Sequence, residues 1–308
     1  MALTRVLITV KTYPSLSTKY EELVCTAGFL EDGSWIRIYP IQFRQRPYAQ
    51  QYKKYQWIEI DLVKNEKDFR PQSFRPVSHE TEIKLLSELP ADGDAWHERR
   101  KVVLGKVYQN LSQLIAESKE KSICTSLAVF KPTVVKDFVV EEVEREWSKE
   151  KLASLQQLNL FSSAIEGKTE VVRKLPYKFS YRFEDNGGKS STLMIEDWEI
   201  GALYWNLVAQ FEGDENKAVA GVKAKYFDDF AKTKDLHLFL GTTFEFHLKN
   251  APNPFVIIGT FHPKSITQTK LSVLLKSITN QTPRSRQGWS ELFEPPARNC
   301  GTGSMACA

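Results

Sequence analysis

The segment SWIRIYPIQFR, residues 34–44, decides the fold that we expect for the first half of the chain. Its β-branched and aromatic residues are typical of a strand, and Gly33 before it can supply the positive φ of a tight turn. Because side chains alternate between the two faces of a strand, Ile36 and Ile38 share one face, which suits a core. The opposite face carries an aromatic–guanidinium–aromatic triplet: Trp35, Arg37 and Tyr39.

The surrounding stretch, residues 35–55, contains five basic and six aromatic residues but no Asp or Glu. Arg and Lys attract phosphates and aromatic faces stack on bases, so this interleaving predicts a nucleic-acid interface. The candidate nucleic-acid-binding residues are Trp35, Arg37, Tyr39, Arg44, Arg46, Lys53 and Lys54. In the alternative interpretation, Trp35 belongs to the core and Arg37 pairs with a carboxylate.

Alternation of apolar and polar residues predicts more strands in the first half, and a helical spacing of apolar residues predicts one helix over 94–119. The expected strands are 5–12, 22–29, 56–63, 81–86, 123–130 and 134–143. Short strands with a late helix fit a small barrel of the OB or PUA type. A further helix over 144–160 is expected to close this region.

The polar segment 162–170 predicts a linker, after which the pattern of strands and helices starts again. The expected elements are a hairpin of 177–183 and 192–195 around an Asp185-Asn-Gly-Gly turn, helices over 197–211, 215–230 and 270–278, and a hairpin of 236–246 and 255–261. The sequence thus predicts a β-rich α+β fold with two small barrel-like domains and inserted helices. The predicted parts are a basic and aromatic domain over 1–161, a second α+β domain over 171–281 and a poorly structured tail over 282–308.

Composition limits the function classes. The formal charge of +4 is small, so any nucleic-acid affinity must come from local clustering. The four cysteines form no Cys-x-x-Cys pair, which suits a reducing cytoplasm. We find no secretory leader and no apolar run near the ~20 residues of a membrane span, so we expect a cytoplasmic protein without membrane contact. No dinucleotide, P-loop or hydrolase motif is present, and we expect no cofactor.

The run Glu196-Asp-Trp-Glu199 places three carboxylates where a predicted strand meets a predicted helix. Clustered carboxylates can bind Mg²⁺ or act as general acid or base, so Asp197 and Glu199 are the candidate catalytic residues. Trp198 could fill the gap that an extruded base leaves. Alternatively, Asp197 is the N-cap of the helix and Glu199 interacts with the helix dipole.

Two other features of the sequence could form a metal site or a nucleophile. His237, His247 and His262 with Asp235 could form a zinc or iron site, but their spacing matches no metal motif, and no metal is predicted. The tail around Cys300-Gly-Thr-Gly303 resembles the nucleophile element of diaminopimelate epimerases. We expect no helix to follow this run, and we therefore expect Cys300 to be an exposed, unactivated thiol and residues 298–308 to be dispensable.

Three short motifs carry a family resemblance. Cys25-Thr-Ala-Gly28 followed by Gly33-Ser-Trp-Ile-Arg37 is similar to the opening of bacterial dual OB-fold proteins, and Thr125-Ser-Leu127 looks like a later strand of theirs. The second half resembles an uncharacterised bacterial family. The Pro that usually follows Trp-Ile-Arg is absent here, since Ile38-Tyr39-Pro40 stands instead. The resemblance implies nucleic-acid sensing in conflict with phages or plasmids.

Three functions are consistent with these patterns. The first is a nucleic-acid-binding protein of bacterial defence, with DNA favoured over RNA. The second is an enzyme that acts on nucleic acid, a base-excising glycosylase or a hydrolase, through Asp197 and Glu199. The third is a protein-interaction module whose aromatic residues belong to its core and interface.

Overall fold

The computed structural model describes residues 2–17, 21–153 and 171–265. The first half supplies seven strands: β1 Ala2–Lys11, β2 Ser15–Ser17, β3 Glu21–Phe29, β4 Trp35–Ile41, β5 Gln56–Lys64, β6 Ser73–Pro76 and β7 Ile83–Glu88. Five of them pair in the order β1-β3-β4-β6-β5, and β5 pairs again with β1, which closes the sheet into a barrel. β2 adds to β3 and β7 adds to β5.

The barrel core contains the isoleucines that alternation assigned to it. Ile36 and Ile38 are fully buried in one cluster with Val6, Ile8, Ile58 and Ile60. β-branched residues pack well on a pleated surface, and their burial is the main favourable term in folding. The predicted β-rich α+β class is confirmed, and its barrel lies in the first half.

The described chain from residue 97 onward, which we call the second half below, supplies the remaining strands and the longer helices. They are α1 His97–Val103, β8 Val107–Tyr108, α2 Leu111–Lys119, β9 Leu127–Phe130, β10 Val134–Glu142, β11 Tyr177–Glu184, β12 Ser190–Met194, α3 Trp198–Gln210, α4 Glu215–Lys223, a π-helix Ala224–Ala231, β13 His237–Thr242, α5 Phe244–Leu248 and β14 Phe255–Phe261. β10, β11 and β12 form a three-stranded sheet. A four-stranded sheet has the order β14-β13-β9-β8.

Strand pairing joins residues 107–142 to strands that lie beyond residue 170. β9 pairs with β13, so that Val129 lies opposite Phe239, and β10 pairs with β11 along its whole length. The predicted first domain, residues 1–161, contains β8, β9 and β10, whereas their hydrogen-bonded neighbours β11 and β13 lie in the predicted second domain, residues 171–281. The predicted linker lies outside the described residues.

The predicted helix over 94–119 is two helices with β8 between them. Val107 and Tyr108 form parallel bridges to Val129 and Phe130 of β9, and this pairing interrupts the helical spacing. The predicted strand 236–246 ends at Thr242, where Thr243 caps the short helix α5 through its side-chain oxygen. Both differences arise from hydrogen bonds, one between strands and one at a helix cap, that apolar periodicity does not show.

The two halves meet where β12 leads into α3. Thr12 of the barrel forms a bridge with Asp197, and the amide of Tyr13 donates to the carbonyl of Glu196 at 2.8 Å. Gly201 of α3 lies against the Tyr13 ring, where a Cβ would come within 2.1 Å of it. This close backbone contact fixes the acidic run against the end of β1.

Several expectations fall outside the described residues: the linker 162–170, the helix over 270–278 and the tail with Cys300. In the part of the chain that is described, no helix is long and apolar enough to span a membrane.

Candidate functional site

A cleft of about 1390 Å³ runs between the barrel and the second half. Its lining is rich in cationic side chains: Arg37, Arg46, Lys67, Arg70, Arg75, Lys174 and Lys178. It also contains four acidic residues, namely Glu66, Asp68, Glu196 and Glu245, and six aromatic rings, namely Tyr13, Tyr39, Trp147, Tyr177, Phe179 and Phe244. The cleft therefore combines positive charge with flat apolar faces.

Three of the seven predicted nucleic-acid-binding residues line this cleft: Arg37, Tyr39 and Arg46. Tyr39 is exposed, whereas Arg46 is half-buried and donates to the carbonyls of Thr81, at 2.8 Å, and His79, at 3.2 Å. Burial lowers the pKa of Arg46 below its ordinary value. Tyr39 thus offers an accessible ring, and Arg46 offers a cation that is held in place by backbone.

Trp35 is partly buried and packs against the core, which agrees with the alternative interpretation more than with an exposed stacking ring. Its ring centroid lies 4.1 Å from that of Phe29 and 5.6 Å from that of Phe239. The second part of that interpretation differs from the structure, because Arg37 pairs with neutral oxygen atoms. Its guanidinium donates to the Ser126 hydroxyl at 3.0 Å and to the Ser126 carbonyl at 3.1 Å.

Arg44 and Lys53 form ion pairs away from the cleft lining. Arg44 lies 2.6 Å from a carboxylate oxygen of Glu22, and Lys53 lies 3.2 Å from one of Glu88. The Arg44 pair is partly buried, whereas both partners of the Lys53 pair are about half exposed. These two cations are already matched by carboxylates of the barrel.

Lys54 joins the two candidate catalytic carboxylates at the junction between the halves. Its Nζ lies 2.6 Å from Oε2 of Glu199 and 3.9 Å from Oδ2 of Asp197, and it donates to the Thr260 carbonyl at 3.1 Å. Lys11 lies nearby, with its Nζ 5.3 Å from the centre of the Trp198 ring. We call Lys11, Lys54, Asp197 and Glu199 the junction cluster.

Burial sets the electrostatics of the junction cluster. Desolvation raises the pKa of Asp197 to about 7, against the opposing charge of Lys54. Burial alone would lower the pKa of Lys54, but the carboxylates of Glu199 and Asp197 raise it above its ordinary value. Burial lowers the pKa of Lys11 to about 8. Two cations thus face two carboxylates in a site with little solvent.

The alternative structural roles of the acidic run are also observed. Asp197 is the N-cap of α3, since its Oδ1 accepts from the amide of Glu199, and Glu199 lies in the first turn of that helix. Trp198 packs edge-on against Phe43 of the barrel, with ring centroids 5.5 Å apart. None of these three side chains belongs to the cleft lining.

Glu196 is the carboxylate of this run that lines the cleft, and the sequence analysis did not select it. Its amide donates to the carbonyl of Ile257 at 2.7 Å and its carbonyl accepts from Tyr13, so its backbone is fixed on both sides. The side chain is half-buried, and burial raises its pKa. Within the described residues, its carboxylate makes no hydrogen bond or ion pair.

A second group of buried charges forms what we call the cleft floor: Arg37, Arg70 and Asp68. Asp68 accepts two hydrogen bonds from the Arg70 side chain, from Nε at 2.8 Å and from Nη2 at 2.6 Å. The Thr242 carbonyl accepts from Arg70 at 2.6 Å and from Arg37 at 3.5 Å, so the two guanidinium groups are neighbours. Both arginines are at least nine-tenths buried and still line the cleft.

The histidines of the last hairpin have separate local partners. A ring nitrogen of His237 lies 3.0 Å from the Asp235 carbonyl, and one of His247 lies 2.8 Å from the Ser118 carbonyl. The His262 ring stacks on Phe230, with centroids 3.5 Å apart. Across the described residues, no group of three or more His, Cys, Asp or Glu side chains is placed to hold a metal ion.

Two family models match the chain. One, described as a domain of unknown function (DUF8758), matches residues 2–105, which include the whole barrel. The other, also described as a domain of unknown function (DUF8757), matches residues 108–279, so the boundary falls at the start of β8. No curated protein matches the chain. Because the second match covers more than half of the 308 residues, the chain belongs to the DUF8757 family.

Proposed function

We propose that this chain binds nucleic acid through the cleft between the barrel and the second half. The observation that carries the proposal is the lining, which has seven lysines and arginines against four acidic residues and includes six aromatic rings. Cations along a groove attract the phosphate backbone, and aromatic rings stack on bases. The cleft volume of about 1390 Å³ also exceeds the ~300–1,000 Å³ of ordinary small-molecule sites.

DNA is the preferred partner in this proposal, and bacterial defence against phage or foreign DNA is its setting. Both rest on the resemblance to dual OB-fold proteins. The closed five-stranded barrel agrees with that resemblance, because OB-folds are five-stranded barrels that bind oligonucleotides.

Fluorescence anisotropy with labelled oligonucleotides tests the proposal. The ligands are single- and double-stranded DNA and RNA of one sequence, each titrated at low salt and again at higher salt. We expect log Kd to rise linearly with the logarithm of the salt concentration, and we expect DNA to bind more tightly than RNA. No binding to any of the four at low salt would refute the proposal and would favour a protein-interaction module.

A matched pair of triple variants locates the interface. Replacing Lys67, Arg75 and Lys174 with Ala removes three charges from the cleft, whereas replacing Lys53, Lys84 and Lys101 removes three exposed, ion-paired charges elsewhere. We expect the cleft triple to reduce the salt slope by about three units and the control triple to leave it nearly unchanged, since each phosphate contact contributes about one. Equal effects would place the interface outside the cleft.

The position of Glu196 favours a second candidate function, removal of a base from DNA. A carboxylate beside an extruded nucleotide can take a proton from water as the water oxygen attacks the sugar carbon C1′. The bond from C1′ to the base nitrogen then breaks, and the base leaves with the electron pair and takes up a proton. A carboxylate also stabilises the positive charge that develops on the sugar.

Incubation with plain and base-modified phage DNA, followed by alkali, tests this second function through strand breaks at abasic sites. We expect Glu196→Gln to abolish the breaks and Asp197→Asn to retain them, because Asp197 lies outside the cleft lining. The reverse result would restore Asp197 as the catalytic carboxylate. Strand breaks without alkali would indicate backbone cleavage instead.

A further inference from the structure

The cleft floor contains a positive charge that no carboxylate matches. Arg70 is paired with Asp68 through two hydrogen bonds, whereas the Arg37 guanidinium contacts hydroxyl and carbonyl oxygens. Within the described residues, Arg37 forms no salt bridge, although its side chain is only 3% exposed. Two guanidinium groups and one carboxylate leave the floor with one excess positive charge.

Such an arrangement is costly unless something offsets it. A buried charge without an opposite charge loses its hydration and normally costs several kcal/mol. Burial, followed by the charge of Arg70, lowers the pKa of Arg37 to about 10, and the group remains protonated at neutral pH. An anion that enters from the cleft would supply the missing negative charge.

Cys25 does not fill this role. It lines the cleft beside Arg37, but burial raises the pKa of its thiol, so the sulfur stays neutral at physiological pH. Glu196 raises the pKa of this thiol further. The positive charge of Arg37 therefore remains available to a ligand, because it does not convert the Cys25 thiol to a thiolate.

We propose that Arg37 and Arg70 form a subsite for the phosphate monoester at the end of a DNA strand. An internal phosphodiester lies between two nucleotides, and both would have to enter the cleft for it to reach side chains that are 3% and 4% exposed. A terminal phosphate protrudes and carries up to two negative charges, which suits adjacent guanidinium groups. The subsite rests on the proposed function, because it takes the strand to be the ligand.

The experiment compares one DNA oligonucleotide with a 5′-phosphate, a 3′-phosphate or no phosphate. We expect the wild-type chain to bind one phosphorylated form roughly 10- to 100-fold more tightly than the unphosphorylated form, as for charge-assisted hydrogen bonds. Arg37→Gln should remove this preference, because the affinity for the phosphorylated strand should fall to that for the unphosphorylated strand. Arg46→Gln removes a cleft cation outside the floor and should retain the preference.

Equal binding of all three oligonucleotides by the wild-type chain would overturn the subsite while leaving the proposed function intact. That measurement needs no variant, so it holds even where Arg37→Gln folds poorly. Melting temperatures with inorganic phosphate and with a deoxynucleoside monophosphate distinguish a strand end from a free phosphate monoester. One outcome would be that these two small ligands raise the melting temperature of the wild type but not of Arg37→Gln, while no oligonucleotide binds. In that case the floor binds phosphate, but its ligand is not the end of a DNA strand, and the proposed function is wrong.

Discussion

The junction cluster and the cleft floor both bury cationic side chains, yet they differ in charge balance. In the junction cluster, Lys11 and Lys54 face two carboxylates, and the cluster connects the barrel to α3. On the cleft floor, Asp68 pairs with Arg70, whereas Arg37 forms no salt bridge within the described residues. Balanced charges of this kind hold elements together, whereas an excess charge beside a cleft is available to a ligand.

The largest expected effect is on the junction cluster. Replacing Lys54 with Met leaves Asp197 and Glu199 without their closest cation, and removing one partner of a buried pair costs about 3–5 kcal/mol. Urea unfolding measures the change. The neighbouring variant Lys53→Met removes an exposed pair and should cost at most about 1 kcal/mol. Similar losses in the two variants would mean that the cluster does not stabilise the junction.

A smaller effect is expected where α3 touches the barrel. Gly201→Ala places a Cβ within 2.1 Å of the Tyr13 ring. The ring cannot move freely, because its hydroxyl donates to the Arg173 carbonyl and accepts from Trp205. Overpacking of this kind costs about 1–3 kcal/mol. Gly105→Ala, where nothing lies within 4 Å, is the control and should leave the unfolding midpoint nearly unchanged.

The pH dependence of stability should identify Asp197. Its pKa is raised from 3.8 to about 7, so the folded chain keeps a proton that the unfolded chain releases. Its contribution to stability is complete below the unfolded pKa and decreases as the pH rises through about 7. Asp197→Asn should flatten this decrease in urea unfolding between about pH 4 and 7. An unchanged slope would show that Asp197 does not titrate in this range.

The smallest expected effect concerns a single cation of the cleft. Lys67 is exposed on the cleft lining, so Lys67→Ala should leave folding unchanged and reduce the salt slope of DNA binding by about one unit. Anisotropy titrations at several salt concentrations give the slope. A slope equal to that of the wild type would show that Lys67 does not contact a phosphate of the DNA.

Much of the fold was predictable, because the isoleucines of β4 and β5 follow the alternation of a strand with one buried face. The N-cap role of Asp197 was also predictable from residue type. The pairing of β9 with β13 was not, since residues 127–130 meet their partners more than a hundred positions later.

The site was less predictable for the same reason. The spacing of Arg37 places it opposite the barrel core, but it does not show that Arg70 and Thr242 lie beside it. For Glu196 a signal existed. The alternation of β12, continued three residues further, buries Ile195 and Asp197 and turns Glu196 to the other face. The same run is also the start of α3, where Asp197 is the N-cap, so the strand alternation is hard to recognise there.

The closure of the barrel has a consequence for the order in which the chain folds. All five barrel strands lie inside the first 76 residues, so the barrel can close while the ribosome is still synthesising the rest. The four-stranded sheet must wait for β13 and β14. Until then three apolar side chains of the first half are not packed against that sheet, namely Val10, Phe29 and Tyr55. We therefore expect the nascent barrel to need protection from aggregation until the second half emerges.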